Sequence, residues 1–397
     1  MLLEIILFIL AGLLAGTFTG LFPGIHINLV GAMLVSLSVS ALAKIDAIYF
    51  VVFVSSMAIT HTFTDFIPSI FLGCPDSDTE LSILPGHEML KNGQGYQAII
   101  NTAYGGLIAI FLLAVLTIPL SSAISKIYPF LTKIIPFILI GICLIMIFSE
   151  KRKFNAFAVI LLTGALGFFV LNTNLKEPLL PLLSGLFGSS MLILSINQNT
   201  KIPPQNKFYE KPKLKKLLRP VSGALIASPL CGFLPGLGGG QAAVVGNQIA
   251  KTDSKDFLIL LGTVNVLVMG LSFISLYAIS KTRTGAAAAI QSLIGEINFN
   301  MLILIIGVCV ISGIISFFLV KVISLKFIQL IEKVNYKKIS YTIIIILSII
   351  IFFVSGFFGL FVFAISTITG IYCISLNVKR TQMMGCLLIP TIILYLF

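Results

Sequence analysis

No tryptophan occurs in this chain of 397 residues, only 10% of its residues are charged, and just 14 are acidic. No polar stretch is long enough to fold as a separate soluble domain. There is no Walker motif, glycine-rich dinucleotide fingerprint, His-Glu-x-x-His or Cys-x-x-Cys, so ATP-driven pumping and metalloprotease chemistry lack their parts. An enzyme is not expected. His61 and Asp65 imitate a metal or hydrolase pair, yet an intramembrane hydrolase would also need a nucleophile beside them. The six cysteines show no paired spacing and most sit in apolar runs, which argues against a disulfide framework or a zinc knuckle. Met1 to Phe8 carries Glu4 and no Lys or Arg, so it lacks the basic region of a secretory signal and is expected to be retained.

What is present is apolar: 58% of residues are hydrophobic, with a mean hydropathy of +1.10. Runs of the ~20 residues needed to cross a bilayer as helix recur from end to end. The composition is that of an integral membrane protein, placed by expectation in the cytoplasmic membrane. The formal charge of +12 does not imply nucleic acid, because the basic residues fall in short loops between apolar segments and report topology.

The densest basic loop runs from Lys201 to Arg219 and is placed in the cytoplasm by the excess of positive charge. Lys151-Arg152-Lys153 then joins it there, with spans near 154–172 and 176–196 between them. Spans near 47–72, 98–122 and 131–149 put the polar segment 73–97 on the same side. Onward, a broken hairpin over 220–250 returns to Lys251, a span near 256–280 exits, and one near 300–320 returns to the basic loop Lys321 to Lys338. The last spans lie near 339–355, 357–377 and 383–397, with Lys379-Arg380 at a cytoplasmic turn.

Two segments, Gly20-Leu21-Phe22-Pro23-Gly24-Ile25-His26-Ile27-Asn28 and Gly232-Phe233-Leu234-Pro235-Gly236-Leu237-Gly238-Gly239-Gly240-Gln241, share the pattern Gly-x-x-Pro-Gly and interrupt apolar runs in corresponding places. Breaks at membrane depth are tolerated where they line a cavity. The polar segment after the first break faces inward, and its counterpart, Lys281-Thr282-Arg283-Thr284, faces outward. The expected fold is an all-α polytopic membrane protein, an inverted repeat with two broken, re-entrant helical hairpins and about ten further spans. The first repeat covers 1–200 with its break at 22–28, a basic cytoplasmic linker covers 201–219, and the second repeat covers 220–397 with its break at 234–241.

With these motifs placed, the chain resembles the large permease subunit of tripartite tricarboxylate transporters, and more closely its stand-alone archaeal-type relatives. The likeness runs along most of the length. In the first half it is carried by Phe22-Pro23-Gly24, Gly73-Cys74-Pro75-Asp76-Ser77-Asp78-Thr79, and Pro85-Gly86-His87-Glu88-Met89-Leu90-Lys91-Asn92-Gly93. In the second half Leu234-Pro235-Gly236-Leu237-Gly238 matches well, and Gly262-Thr263-Val264-Asn265 stands where the permeases carry an Asn-containing stretch. The second breaks depart from the family, whose versions are small, neutral Pro-Gly segments. The resemblance implies a secondary carrier of small organic anions, in the type case served by an extracytoplasmic binding protein and a small membrane subunit.

Pro23-Gly24 and Pro235-Gly236 would each begin a half-helix whose free N–H groups form an anion site. Gly238, Gly239 and Gly240 would admit a ligand to the backbone, and His26, Asn28 and Gln241 can donate hydrogen bonds to it. The alternative is that the same glycines serve close helix packing, although packing alone does not call for proline beside them. His61 and Asp65 share a helical face within an apolar run. With Asp76 and Asp78 they form a candidate site for a coupling sodium ion or proton, although Asp65 could instead cap a broken helix and the other two lie in an ordinary loop. Lys281 and Arg283 precede the small-residue run Gly285 to Ala289 and are candidates for the anion, or interfacial anchors. No other cofactor is expected.

The leading expectation is a secondary active transporter of a di- or tricarboxylate, and a homo-oligomer is compatible with it. The alternative substrate is a polyprenyl-phosphate or other anionic lipid, whose phosphate would suit paired half-helix N-termini as well. A non-transport scaffold gives no reason for twin intramembrane breaks.

Overall fold

The computed structural model describes residues 2–22, 45–73, 79–197, 203–233, 239–331 and 336–396, and every regular element among them is helical. Seven described helices are long and apolar enough to cross a membrane, and four shorter apolar helices accompany them. The protein is a multi-pass, all-α membrane protein, as its composition requires.

Helix α1 (Leu2–Leu21) lies along α2 (Ala47–Thr64). Gly12, Gly16 and Gly20 make one stripe of α1, and a Cβ on any of them would overlap α2 at Ser56, Thr60 or Thr64. Small residues at this spacing let two backbones meet in lipid. Ser56 Oγ then donates to the Ile9 carbonyl at 2.8 Å, and Thr64 Oγ1 to that of Gly16 at 3.2 Å. Asp46 caps α2 by accepting from the Ile48 N–H. The helix breaks at Asp65 and resumes as α3 (Phe66–Leu72), whose Pro68 has no N–H for the helical ladder. Gly73 closes α3 in the left-handed region at φ 69°, a conformation that costs glycine nothing.

A one-turn 3₁₀ segment, Glu80–Ser82, leads into α4 (Ile83–Lys91) and then α5 (Gly95–Phe148). The two spans expected at 98–122 and 131–149 are therefore one helical run. Straight, it would measure ~80 Å, yet both its ends lie at one end of the bundle. The Gly95 N–H meets Gln205, and the Met146 carbonyl accepts from Gln382. The run therefore doubles back across Pro119, Pro129 and Pro136, prolines that bend a helix where no Gly or Asn stands to end it. Helix α6 (Lys153–Leu171) follows. Then come α7 (Leu179–Leu183), a π-turn at Ser184–Ser189 and α8 (Ser190–Asn197).

In the second half α9 (Leu214–Phe233) and α10 (Gly239–Ala250) pair antiparallel, with Gly223 and Gly246 each against the other's backbone. They enter and leave by the same end. Helix α11 (Ser254–Ile279), capped by Asp253, has its most apolar stretch wholly buried and is the axis of the bundle. Beyond it lie α12 (Gly285–Ile294), capped by Thr284, and α13 (Phe299–Ile331). Helix α14 (Tyr336–Ser375) is interrupted at Gly356, with φ 68° and ψ −166°, where the expected spans 339–355 and 357–377 divide. A 3₁₀ turn, Arg380–Met384, precedes α15 (Gly385–Leu396).

The halves exchange partners reciprocally. Ser312 and Ser316 of α13 reach Ser56 and Thr60 of α2 at 2.9 and 3.1 Å. In return α5 crosses α11 where Gly262 meets the Thr102 backbone and Gly105 that of Ile259. Gly164 and Gly167 of α6 press on Ile389 and Cys386 of α15, while Gly185 of the π-turn presses on Ser366 of α14. The loops assigned to the cytoplasm touch one another: Asn206 N–H donates to the Gly93 carbonyl, Gln97 pairs with the Glu210 backbone, Ser254 meets Glu88, and the Lys379 N–H meets Glu150. At the other end Ser355 Oγ donates to the Lys176 carbonyl at 2.7 Å. Helix α3 ends near His87 at the first end, whereas α11 begins there, so the two run in opposite directions.

Candidate functional site

Among the described residues, the buried ionisable side chains fall into two groups inside this bundle. The first gathers at the break of α2. Asp65 and His61 are each about 4% exposed, deep in a run of Phe, Ile and Thr. His61 Nδ1 shares a 3.0 Å hydrogen bond with Thr19 Oγ1 of α1. Asn265, midway along α11, donates from Nδ2 to Asp65 Oδ2 at 3.0 Å and toward the Thr62 carbonyl at 3.4 Å. A first-half carboxylate and a second-half amide thus meet in the core. A charge desolvated this far needs such partners, and Thr60, Thr62 and Thr64 line the same helix with their hydroxyls turned back on its carbonyls.

The same kind of joint follows α3 and α11. Ser69 Oγ of α3 pairs with Thr79 Oγ1 at 2.6 Å, and Ser272 Oγ of α11 pairs with Thr284 Oγ1 at 2.9 Å. Each threonine sits immediately before the next helical element. The second joint leads into the Ala-rich α12, with Lys281 exposed and Arg283 half-buried. The first leads into Glu80, which is 1% exposed.

Glu80 belongs to the second group. Its carboxylate lies against Gly240 in the first turn of α10, where a Cβ would overlap Glu80 Oε1. The glycine run expected to admit a ligand to the backbone therefore admits this side chain, and Gln241 is buried just beyond it. Below Glu80 a cavity of about 250 Å³ opens between Ile83, Glu88, Asn247, Thr252, Lys379 and Arg380. Neighbouring it, His87 is 2% exposed, with its ring so close to Gly73 that a Cβ there would come within 3.0 Å of it. Neither ring nitrogen has a hydrogen-bond partner among the described residues. Burial, reinforced by the Lys91 and Arg380 charges, pushes its pKa down to about 3, so the ring is neutral.

Of the residues singled out in the sequence, His61, Asp65 and Asn265 come together. Gly239, Gly240 and Gln241 lie at the start of α10, and Lys281 and Arg283 at the second joint. Pro23, Gly24, His26, Asn28, Asp76, Asp78, Pro235, Gly236 and Gly238 lie outside the described residues. Among the described residues no three of His, Cys, Asp and Glu converge as metal ligands. Sequence reasoning passed over Glu80 and Arg380 and gave His87 no role. Glu80 stands two residues from Asp78 and reads as one more charge in a polar loop, and Arg380 reads as a topology marker.

Fold and buried polar groups together define a polytopic, all-α membrane protein that holds ionisable side chains in its core. The chain belongs to the tripartite tricarboxylate transporter TctA family, whose model matches residues 6–385. It is accordingly a transporter permease, and that family is not one of enzymes. The chain is also 32% identical over 362 residues to an uncharacterized protein of Methanocaldococcus jannaschii, covering 87% of this chain and 89% of that one. No solved structure matches.

Proposed function

We propose that this chain is a secondary active carrier of a small organic anion, driven by a sodium or proton gradient and working by alternating access between inverted repeats that meet at the 201–219 linker. The observation that carries the reading is the Asp65–Asn265 hydrogen bond. It ties a carboxylate at a helix break in one half to the axial helix of the other, in a core where an ionisable group is costly and therefore marks an ion path. His61, Thr19 and the carbonyls freed at the break supply further oxygen and nitrogen ligands for a cation or relay sites for a proton. The reciprocal packing of α2 with α13 and of α5 with α11 supports two repeats, and their opposite directions support inversion. Either repeat can then adopt the shape of its partner, which gives two conformations of similar energy.

In this reading the half-helix ends at Pro23-Gly24 and Pro235-Gly236 face the anion, Arg283 gathers it at the outer joint, and the end holding Lys379 and Glu150 is cytoplasmic. A binding protein and a small membrane subunit would be the partners. The test is uptake of labelled di- and tricarboxylates into proteoliposomes with imposed sodium or pH gradients. Gradient-dependent accumulation that Asp65→Asn abolishes supports the reading; uptake indifferent to both gradients sinks it.

A further inference from the structure

We infer that the 207–219 stretch of the linker docks on the bilayer as a binding surface for anionic phospholipid, with Phe208 and Leu214 among the acyl chains and the surrounding lysines on the phosphates. The inference goes beyond the carrier reading and does not depend on it. Phe208 is 85% exposed, and no large apolar side chain among the described residues is more so. It is also held there. Its N–H donates to Asn206 Oδ1 at 2.9 Å, and the chain is fastened on either side of it. The Asn206 N–H donates to the Gly93 carbonyl, Tyr209 accepts from Lys321, and the Glu210 N–H donates to Gln97 Oε1 at 2.7 Å. Tyr209 packs inward on Tyr96 and Tyr104, leaving Phe208 outside. A phenylalanine fixed outward in water forfeits its burial, so the position calls for an apolar phase to cover it.

Leu214 and Leu218 extend this surface along the start of α9, at 80% and 67% exposure and one helical turn apart. Ile226, about two turns further along the same face, is exposed as well, so the face continues from the linker into the apolar part of the helix. Charge decides what covers it. Lys207, Lys211, Lys213, Lys216 and Arg219 are all exposed around it, none is ion-paired among the described residues, and Glu210 is the one acid between 201 and 219. The charges of Lys216 and Arg219 act on Asp256 at the start of α11, which leaves the three lysines nearest Phe208 for an outside partner. Cations interleaved with exposed apolar side chains beside a membrane helix fit a leaflet of anionic phosphates. A second copy of this chain would instead set the same cations against each other, and a zwitterionic headgroup cancels its own phosphate. Because Gln205 and Tyr209 tie this segment to α4, α5 and α13, lipid bound here steadies the strap that joins the two halves.

The chain has no tryptophan, so Phe208→Trp places a lone fluorescent reporter at the proposed contact, and Leu214→Trp serves as a second should the first misfold. The purified full chain is placed one copy per nanodisc in an equal mixture of phosphatidylglycerol and phosphatidylcholine, with brominated acyl chains on one lipid or the other. Emission is expected to be blue-shifted, and quenched roughly twice as strongly or more by the brominated anionic lipid. High salt is expected to weaken that preference. Combining Lys207→Gln, Lys211→Gln and Lys213→Gln is expected to abolish it, while Lys151→Gln at a remote turn leaves it intact. Emission like that of tryptophan in water, equal quenching by the two lipids, or a preference that survives loss of the three lysines overturns the inference. A blue shift that appears only with two copies per disc assigns the face to a contact between chains and overturns it likewise.

Discussion

The joint after α3 and the joint after α11 share one construction, a serine from the preceding helix paired with a threonine just before the next element, but they are furnished differently. The first is followed by buried Glu80 and, within two turns of helix, by neutral His87. The second is followed by Gly285 and alanines, and its cations stand outside the core. What is alike is a single device, a hydroxyl pair that closes the turn into the next element. What differs is not demanded by the fold, and on the reading proposed above protons or cations would be handled near the first joint and anions gathered at the second.

Substitutions that separate the joints should show this asymmetry. The largest effect is expected from Asp65→Asn, which keeps the shape of the side chain and removes its charge. Gradient-driven uptake in proteoliposomes should fall at least tenfold, the equivalent of ~1.4 kcal/mol, whereas Lys281→Gln at the exposed edge of the second joint should leave it within about twofold. Equal losses would erase the distinction. Arg283→Glu should also stop uptake while leaving expression intact, and unchanged uptake would remove the second joint from anion handling.

Next in size is Gly240→Ala, whose methyl must displace Glu80 and Met384. Thermal unfolding in detergent should report a loss of about 1–3 kcal/mol. Gly307→Ala on α13, where nothing lies within 4 Å, should be neutral or gain up to ~1 kcal/mol from helix propensity. A tolerated Gly240→Ala would mean that Glu80 is not held there.

Acid should act on the first joint. With the His87 pKa pushed from 6.5 down to about 3, the unfolded chain takes up a proton that the folded chain refuses. The stabilising difference is complete above the unfolded value of 6.5 and shrinks as pH falls toward 3. Melting temperature should therefore decline below about pH 6.5, and His87→Gln should flatten that limb; an unchanged limb would place the acid sensitivity elsewhere. The smallest effect is expected from Ser69→Ala and Ser272→Ala, each about 1 kcal/mol. Markedly unequal values would show that the joints differ in structure as well as in charge.

Much of the architecture was legible in the sequence because lipid permits so few solutions. Basic loops mark one side, and the contacts among Gly93, Gln97, Glu150, Asn206 and Lys379 place those loops together. The division of α14 fell where Gly356 has a positive φ. The turn expected between 122 and 131 is helical, since a proline bends an apolar run without exposing it. The 201–219 segment reads as a plain linker, yet Gln205 is buried and fastened to Gly95, Leu90 and Pro203, and Tyr209 accepts from Lys321 at 2.9 Å. A glutamine in a basic loop carries no sign that it will be buried. Glu80 and Arg380 stayed hidden for the same reason: a charge beside a turn looks alike whether it meets open water or lines a cavity.

The exchange of partners between the halves bears on how the chain is made. When residues 1–200 have left the ribosome, α2 already holds Asp65, Ser56 and Thr60, but the groups that receive them, Asn265, Ser312 and Ser316, have yet to be synthesised. The newborn first half must wait in the bilayer with its polar face unsealed, as a substrate for membrane chaperones and proteases. A chain truncated before α13 is expected to be degraded rather than to accumulate as a stable fragment.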